Sequence, residues 1–468
     1  MTHTHEAGAL HATAGVRAPS WLAPPDDVNS LVPKLWSQGV VRTAAGELEV
    51  AGVGVTELAE QFGTPLFVVD ELDVRERARD FARAFSSFEI FYASKAFCSA
   101  AVIRWVAEEG LSIDVCSAGE LAVALKAGVP PERIGLHGNN KTEFELRQAI
   151  DLGLRRVVVD SFDEIARLRA LTADRAPTRP LPVMVRATAG VEAHTHEYIA
   201  TAHEDQKFGL SISEGETARA AQELAAIPGL DLRGIHSHIG SQIFDTSGFE
   251  VAARRVLAEH AAVSQALGTV LPEVDLGGGF GIAYTTQDEP SSPQELADGL
   301  IDIVDAECHA LGIDVPHLSI EPGRAIVGPA AFTLYTVGTV KRVVVSREAS
   351  RLYVSVDGGM SDNIRTALYN AEYSACLAAR ASQAPPRLSR VVGKHCESGD
   401  IVVMDEFLPS DVHPGDLLAV PGTGAYCRSM ASNYNQAPRP AVAAVNDGHA
   451  RLIMRRETVD DLLALDLG

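Results

Sequence analysis

Positive charge is scarce in this 468-residue chain: 40 Lys and Arg stand against 62 Asp and Glu, a net charge of −22. Backbone-phosphate recognition needs clustered cations, so a nucleic-acid partner is excluded. Any anionic ligand must be held by a few local cations against the field of the whole chain. The six cysteines (Cys98, Cys116, Cys308, Cys376, Cys396, Cys427) contain no C-x-x-C pair. That spacing gives neither a zinc site nor a disulfide framework and suits a reducing cytoplasm. No apolar run approaches the ~20 residues of a membrane span, and the first twenty residues lack the apolar stretch of a signal peptide. The expectation is a soluble cytoplasmic protein, with no membrane partner and with residues 1–25 as a disordered tail.

Hydrophobic residues at 46% and charged residues at 22% are ordinary for a globular protein. The length exceeds one ordinary domain. From about residue 65, β-rich runs alternate with helical patterns. The runs are Glu89–Ser94, Leu111–Val115, Arg133–His137, Arg156–Asp160, Pro182–Arg186, Gly234–His238, Glu273–Leu276 and His317–Glu321. Helical stretches such as Glu143–Leu154, Glu214–Ala226 and Pro293–Leu311 separate them, and Glu71–Ala84 precedes the first. Eight strands with crossover helices predict an α/β fold, a (β/α)8 TIM barrel over residues 65–330. After Pro329 short strands and Gly, Pro and Asp turns take over. An all-β, barrel-like second domain is expected over residues 331–468, joined by 26–64, where Gly39–Val53 reads as a hairpin turning at Gly46.

Reactive groups in such a barrel project from the C-terminal strand ends. Those ends carry Lys95, Asp114, His137 with Asn139, Asp160, Arg186, His238, Gly277–Gly279 and Glu321. Lys95 follows four apolar or small residues; desolvation there would favour the neutral, nucleophilic amine, and the plain alternative is a snorkelling lysine. Gly277, Gly278 and Gly279 offer bare backbone N–H groups that can wrap a phosphate, although glycine-rich βα loops also arise for steric reasons. Glu321-Pro322-Gly323-Arg324 ends the next strand, and the seventh and eighth strands form the usual phosphate corner. His236 and His238, two residues apart on a strand, suggest a rival metal-dependent hydrolase. Cys396 and Glu397, in a turn of the β domain, read as a small buried hydrophobe and a solvated acid when taken alone.

In order, Tyr92-Ala93-Ser94-Lys95-Ala96, His137-Gly138-Asn139-Asn140-Lys141, Lys207-Phe208-Gly209, His238-Ile239-Gly240-Ser241, the triple glycine, Glu321-Pro322-Gly323-Arg324, Cys396-Glu397 and Tyr426 resemble the fold-type III pyridoxal-phosphate decarboxylases. This family includes diaminopimelate, ornithine and arginine decarboxylases. The likeness runs from about residue 60 to 460 and implies an alanine-racemase-like barrel, pyridoxal 5'-phosphate as cofactor and no metal. It also implies that Lys95 carries the cofactor as a Schiff base and that His238 stacks on its ring. Glu321 would pair with the ring nitrogen and keep it protonated, an electron sink for decarboxylation. Asp114, Ser241, Gly277, Gly278, Gly279, Pro322, Gly323, Arg324 and Tyr426 complete the implied cofactor set.

By the same resemblance, Cys396 returns a proton to the substrate carbon and reaches the neighbouring subunit's site, which implies a homodimer. Arg324, Arg365, Tyr369 and Tyr426 are implied substrate contacts, with Arg324, Arg365 and Tyr369 on a distal carboxylate. Glu397 matches the distal-amine contact. These residues, with Val191–Glu197, resemble the diaminopimelate branch, so the expected reaction is meso-2,6-diaminopimelate to L-lysine and carbon dioxide, the last step of lysine synthesis. The alternatives are a decarboxylase of another carboxylated diamine, the metal hydrolase, and a cofactor-binding regulator.

Overall fold

The computed structural model of the protein describes residues 18–190, 207–344 and 350–468. The tail expectation for residues 1–17 and the Val191–Glu197 segment therefore lie outside the described residues. The chain divides into two compact units. One comprises Arg75–Gly281 and Pro290–Ile326; the other comprises Ile282–Glu289, the chain up to Val74 and the chain from Val327 onward.

In the first unit eight parallel strands close on themselves: β1 (Phe88–Ala93), β2 (Ser112–Val115), β3 (Ile134–Leu136), β4 (Arg156–Val159), β5 (Leu181–Thr188), β6 (Leu230–His236), β7 (Glu273–Asp275) and β8 (His317–Ile320). Each pairs with the next, and β8 returns to β1 with Ile320 opposite Ile90. The strands read as unbroken apolar runs because helices cover the outside and neighbouring side chains fill the inside. All four residues of β4 are buried, as are those of β2. Crossover helices begin where their caps dictate. Ser292 Oγ accepts from Glu295 N at 3.3 Å, and Glu295 Oε2 accepts from Ser292 N at 2.8 Å, ahead of Pro293–Leu311. That helix stops at Gly312, in the left-handed region at φ 67°.

The second unit is built on Ala331–Val344, a 14-residue strand that pairs antiparallel with Leu66–Asp70, Leu417–Pro421 and Ser350–Val356 along its length. All five residues of Leu66–Asp70 are buried, and the strand also lies parallel to Ala441–Asn446. Ala441–Met454 folds back on itself as a hairpin, turning at Asp447 and Gly448 with φ of 49° and 73°. Val40–Arg42 and Leu48–Val50 form the hairpin around Gly46, but in a separate three-stranded sheet. Leu48, Val50, Leu66, Phe332 and Ala443 belong to one core beneath these sheets.

Asp362 lies in that unit with 2% of its surface exposed. Its Oδ2 accepts from the Tyr335 hydroxyl at 2.6 Å and its Oδ1 from Gly359 N at 2.8 Å. Burial pushes its carboxyl up to about 7; those two hydrogen bonds oppose the shift, and Asp400 and Asp357 add to it. A raised folded-state pKa means stability that is complete below the ordinary carboxylate range and is lost as pH rises toward 7. Asp362→Asn cannot ionise, so its melting temperature relative to wild type should rise between pH 5 and pH 8. A constant difference across that range would show Asp362 to be ionised throughout.

Candidate active site

A cavity of about 330 Å³ opens within the barrel unit, lined by the C-terminal ends of its strands. Lys95 stands there in a short 3-10 turn, Ser94–Ala96, that follows β1. Of the two readings of Lys95, desolvated amine or snorkelling lysine, the exposed side chain fits the second, because the turn carries it past the last residue of the strand. Asp114, 6% exposed, ends the inward face of β2 with Oδ1 3.0 Å from His137 Nε2. Burial pushes the Asp114 carboxyl up to about 7, against the pull of Arg156.

Glu321 follows β8 and is 8% exposed. Its Oε1 faces His236 Nε2 at 3.0 Å, His137 Nε2 at 3.4 Å and Arg156 Nη2 at 3.6 Å. None of these approaches has hydrogen-bond alignment, and Oε1, both Asp114 oxygens and both His236 nitrogens are buried without an aligned partner. Burial, supported by His236 and Arg156 and opposed by Glu321, keeps His137 neutral. His238 has left the strand; its Nδ1 accepts from Gly278 N at 3.1 Å, which leaves the proton on Nε2. Burial, with Lys95 second, holds His238 neutral as well.

The phosphate corner assembles after β6, β7 and β8. Arg324 Nη2 donates to Ser241 Oγ at 2.8 Å. Gly277 takes φ 72°, and its N–H donates to Asp275 Oδ1 at 2.6 Å. A Cβ on Gly278 would stand 2.3 Å from Glu321 O, so the turn can approach that strand only as glycine. A Cβ on Gly323 would stand 2.9 Å from Ala93 O, and Pro322 O accepts from Ala93 N at 3.0 Å, which ties this segment to β1.

The other expected residues lie in the second unit. Arg365 opens a short helix, Arg365–Tyr369, with 4% of its surface exposed. Its Nη1 donates to the Tyr373 hydroxyl at 2.5 Å, and its guanidinium lies 4.7 Å from the Tyr284 ring centre. Tyr369, at the last turn, is half-buried. Cys396, read alone as a small buried hydrophobe, is not buried: it stands exposed on the loop that follows the strand Pro386–Val392. Its neighbour Glu397 accepts from the Tyr434 hydroxyl. Tyr426 adopts φ 63°, a left-handed conformation that costs a side-chain-bearing residue energy and often marks a working position.

The paired-histidine metal reading fails at its first step, since β6 ends at His236 and His238 turns to Gly278. His137, His236 and Glu321 do bring ligand atoms within 4.8 Å of one another, but the Arg156 guanidinium already occupies the electrostatic role of a cation there. Sequence reasoning missed Arg156, Ser319 and the structural part of Asp275. The usable signal was strand alternation, which puts Ser319 on the face of Glu321 and Arg156 on the face of Asp160.

Residues 71–328 match the family model for the pyridoxal-binding domain of pyridoxal-dependent decarboxylases. A diaminopimelate decarboxylase of Mycobacterium tuberculosis is 54% identical over 93% of this chain and 98% of its own. That of Bacillus subtilis is 48% identical over 90% and 95%. The chain belongs to the diaminopimelate decarboxylase family. Among solved structures, the M. jannaschii diaminopimelate decarboxylase in complex with L-lysine superposes with a TM-score of 0.85 at 31% identity, covering 92% of this chain and 98% of that one.

The cofactor of a pyridoxal-dependent decarboxylase is pyridoxal phosphate, and the residues present fit it. A free amine and a buried carboxylate without an aligned partner line one barrel mouth, and a glycine turn that a Cβ would fill packs against His238 and Glu321 at its wall. Gly278→Ala should therefore weaken cofactor binding at least tenfold, with a stability loss of about 1–3 kcal/mol from overpacking. Titration of cofactor absorbance alongside a denaturant melt checks both. Unchanged affinity would place the turn away from the cofactor.

Proposed function

We propose that this protein decarboxylates meso-2,6-diaminopimelate to L-lysine and carbon dioxide, as a cytoplasmic homodimer. The observation that carries the reading is Lys95 exposed in a barrel mouth that also holds Glu321, Asp114 and His238. When bound, pyridoxal phosphate supplies an aldehyde that captures an amine and a ring that accepts the electron pair left by carbon dioxide. The remaining work falls to the chain. Lys95 would hold the cofactor by its amine until a substrate amine replaces it. Glu321 would keep the ring nitrogen protonated, and His238, uncharged, would contact the ring. Ser241, Gly277–Gly279, Arg324 and Tyr426 would hold the phosphate, and Asp114 would add a polar contact.

Arg365 and Tyr369 take the distal carboxylate, with Arg324 nearby in role, and Glu397 takes the distal amine. Cys396 of each subunit returns a proton at Cα of the substrate bound to its partner. A thiol exposed on a loop is free to serve in that way. No helix among the described residues is long and apolar enough to cross a membrane, and the described cysteines form no disulfide, which agrees with a reducing compartment.

Lys95→Ala should lose turnover together with the imine absorbance that borohydride traps in wild type. Mixed with Cys396→Ala under subunit exchange, it should recover up to about a quarter of wild-type activity, because half the dimers carry one intact site. A trapped peptide containing another lysine would overturn the first assignment; no recovery despite proven exchange would overturn the second.

Arg365→Ala tests the substrate. Its guanidinium has no carboxylate partner among the described residues. Loss of a charge-assisted contact of about 1.5–3 kcal/mol should lower kcat/KM for diaminopimelate by roughly ten- to several-hundred-fold. Lysine binding should change far less, since lysine has no distal carboxylate. Equal losses for both ligands would make Arg365 structural.

A further inference from the structure

We propose that Arg156, reaching inward from β4, is a positioning residue that fixes both the glycine turn and the Glu321 carboxylate for the cofactor. Its side chain is fully buried. Nη2 pairs with Asp275 Oδ2, and Nη1 donates to Ser319 Oγ at 2.9 Å. Ser319 Oγ in turn donates to the same Asp275 oxygen at 2.6 Å. The other Asp275 oxygen accepts from Gly277 N at 2.6 Å, so the chain Arg156–Asp275–Gly277 runs from the barrel centre to the phosphate turn. The guanidinium also stands 3.6 Å from Glu321 Oε1. One cation therefore reaches the glycine turn through Asp275 and faces Glu321 directly.

The surroundings hold this cation in a single place. Its guanidinium lies 3.7 Å from the centre of the Phe91 ring. Gly135 on the neighbouring strand leaves room, since a Cβ there would stand 3.4 Å from Arg156 Nε and 3.0 Å from Asp114 Oδ1. A purely structural filler would be served as well by an apolar side chain, because a buried ion pair rarely stabilises more than its hydrophobic replacement. What an apolar residue cannot do is keep Asp275 ionised and hold both carboxylates in place. Without the cation, buried Asp275 loses its nearest counter-charge and is driven to take up a proton. A protonated Asp275 grips Gly277 N less strongly, and Glu321 loses the positive group that stands 3.6 Å from its Oε1.

The inference rests on the pyridoxal-phosphate reading above, and the holoenzyme tests it. Arg156→Met should raise the cofactor dissociation constant roughly ten- to a hundredfold and move the pH dependence of the bound cofactor's visible absorbance. It should also lower kcat with little change in KM. Arg156→Lys, which keeps the charge but not the fork, should recover part of the affinity. If Arg156→Met does not fold, Ser319→Ala decides, since it keeps every charge and removes only the bridging hydroxyl: a loss of roughly three- to tenfold in cofactor affinity supports the proposal. Wild-type affinity and an unchanged absorbance profile, in Arg156→Met or in Ser319→Ala, would overturn it. Wild-type protein that binds no pyridoxal phosphate would instead overturn the reading on which it rests.

Discussion

One guanidinium at the centre of the barrel sets the terms for the groups around it. Removing an arginine from water costs several kcal/mol, and only close, hydrogen-bonded anions offset that. Arg156 has Asp275 in contact, with Asp114 and Glu321 near enough to feel its charge. Burial raises the Asp275 carboxyl, but the adjacent guanidinium outweighs burial and keeps it ionised. Three carboxylates around one cation cannot all remain charged at low cost. Asp114, pushed up to about 7 mainly by burial, is the member that the Arg156 cation supports least.

That polar layer departs from the aliphatic filling usual inside an eight-stranded barrel. The departure is local. Strand neighbours such as Val157, Val158, Val183, Val185 and Ile235 are fully or almost fully buried and apolar. Arg156 and Asp275 enter beneath the cavity, where an apolar group could neither orient a carboxylate nor hold a backbone N–H. Stability is conceded at one layer, and the remaining core is large enough to carry it.

The barrel strands were legible because burial on both faces writes an apolar run, and Lys95, Asp114, His238 and Glu321 stand in or just after the ends of such runs. The helix Pro293–Leu311 was legible because its cap, its first-turn proline and its terminal glycine agree. Leu66–Asp70 was not assigned to the second unit's sheet, and local sequence could not have assigned it: a five-residue buried run reads alike in either sheet. Arg156 was hidden for a related reason. At the first position of a strand, beside Arg155, it looks like a solvated end, and only closure of the barrel turns it toward Asp275 and Ser319. Cys396 read as a buried thiol because cysteine packs as a small hydrophobe; the strand before it ends at Val392, and the loop held by Asp400 leaves the thiol exposed.

Both units hold their loops by the same device. In the barrel, buried Asp275 accepts from Gly277 N and steadies the turn. In the second unit, Asp400, 3% exposed, accepts from Met360 N at 2.6 Å and His395 N at 2.7 Å. It lies so close to Gly359 and Gly393 that a Cβ on either would stand 2.5 Å or less from one of its oxygens. An ionised carboxylate has only acceptor sites, about four of them, so a single one can gather N–H groups from two segments. The segments gathered by Asp400 lead to Arg365 on one side and to Cys396 on the other. The glycines are there because side chains would keep the carboxylate out, and the carboxylate is there because bare glycine turns would otherwise be loose. Each requires the other, which is why the glycine-rich stretches of this chain recur beside aspartates.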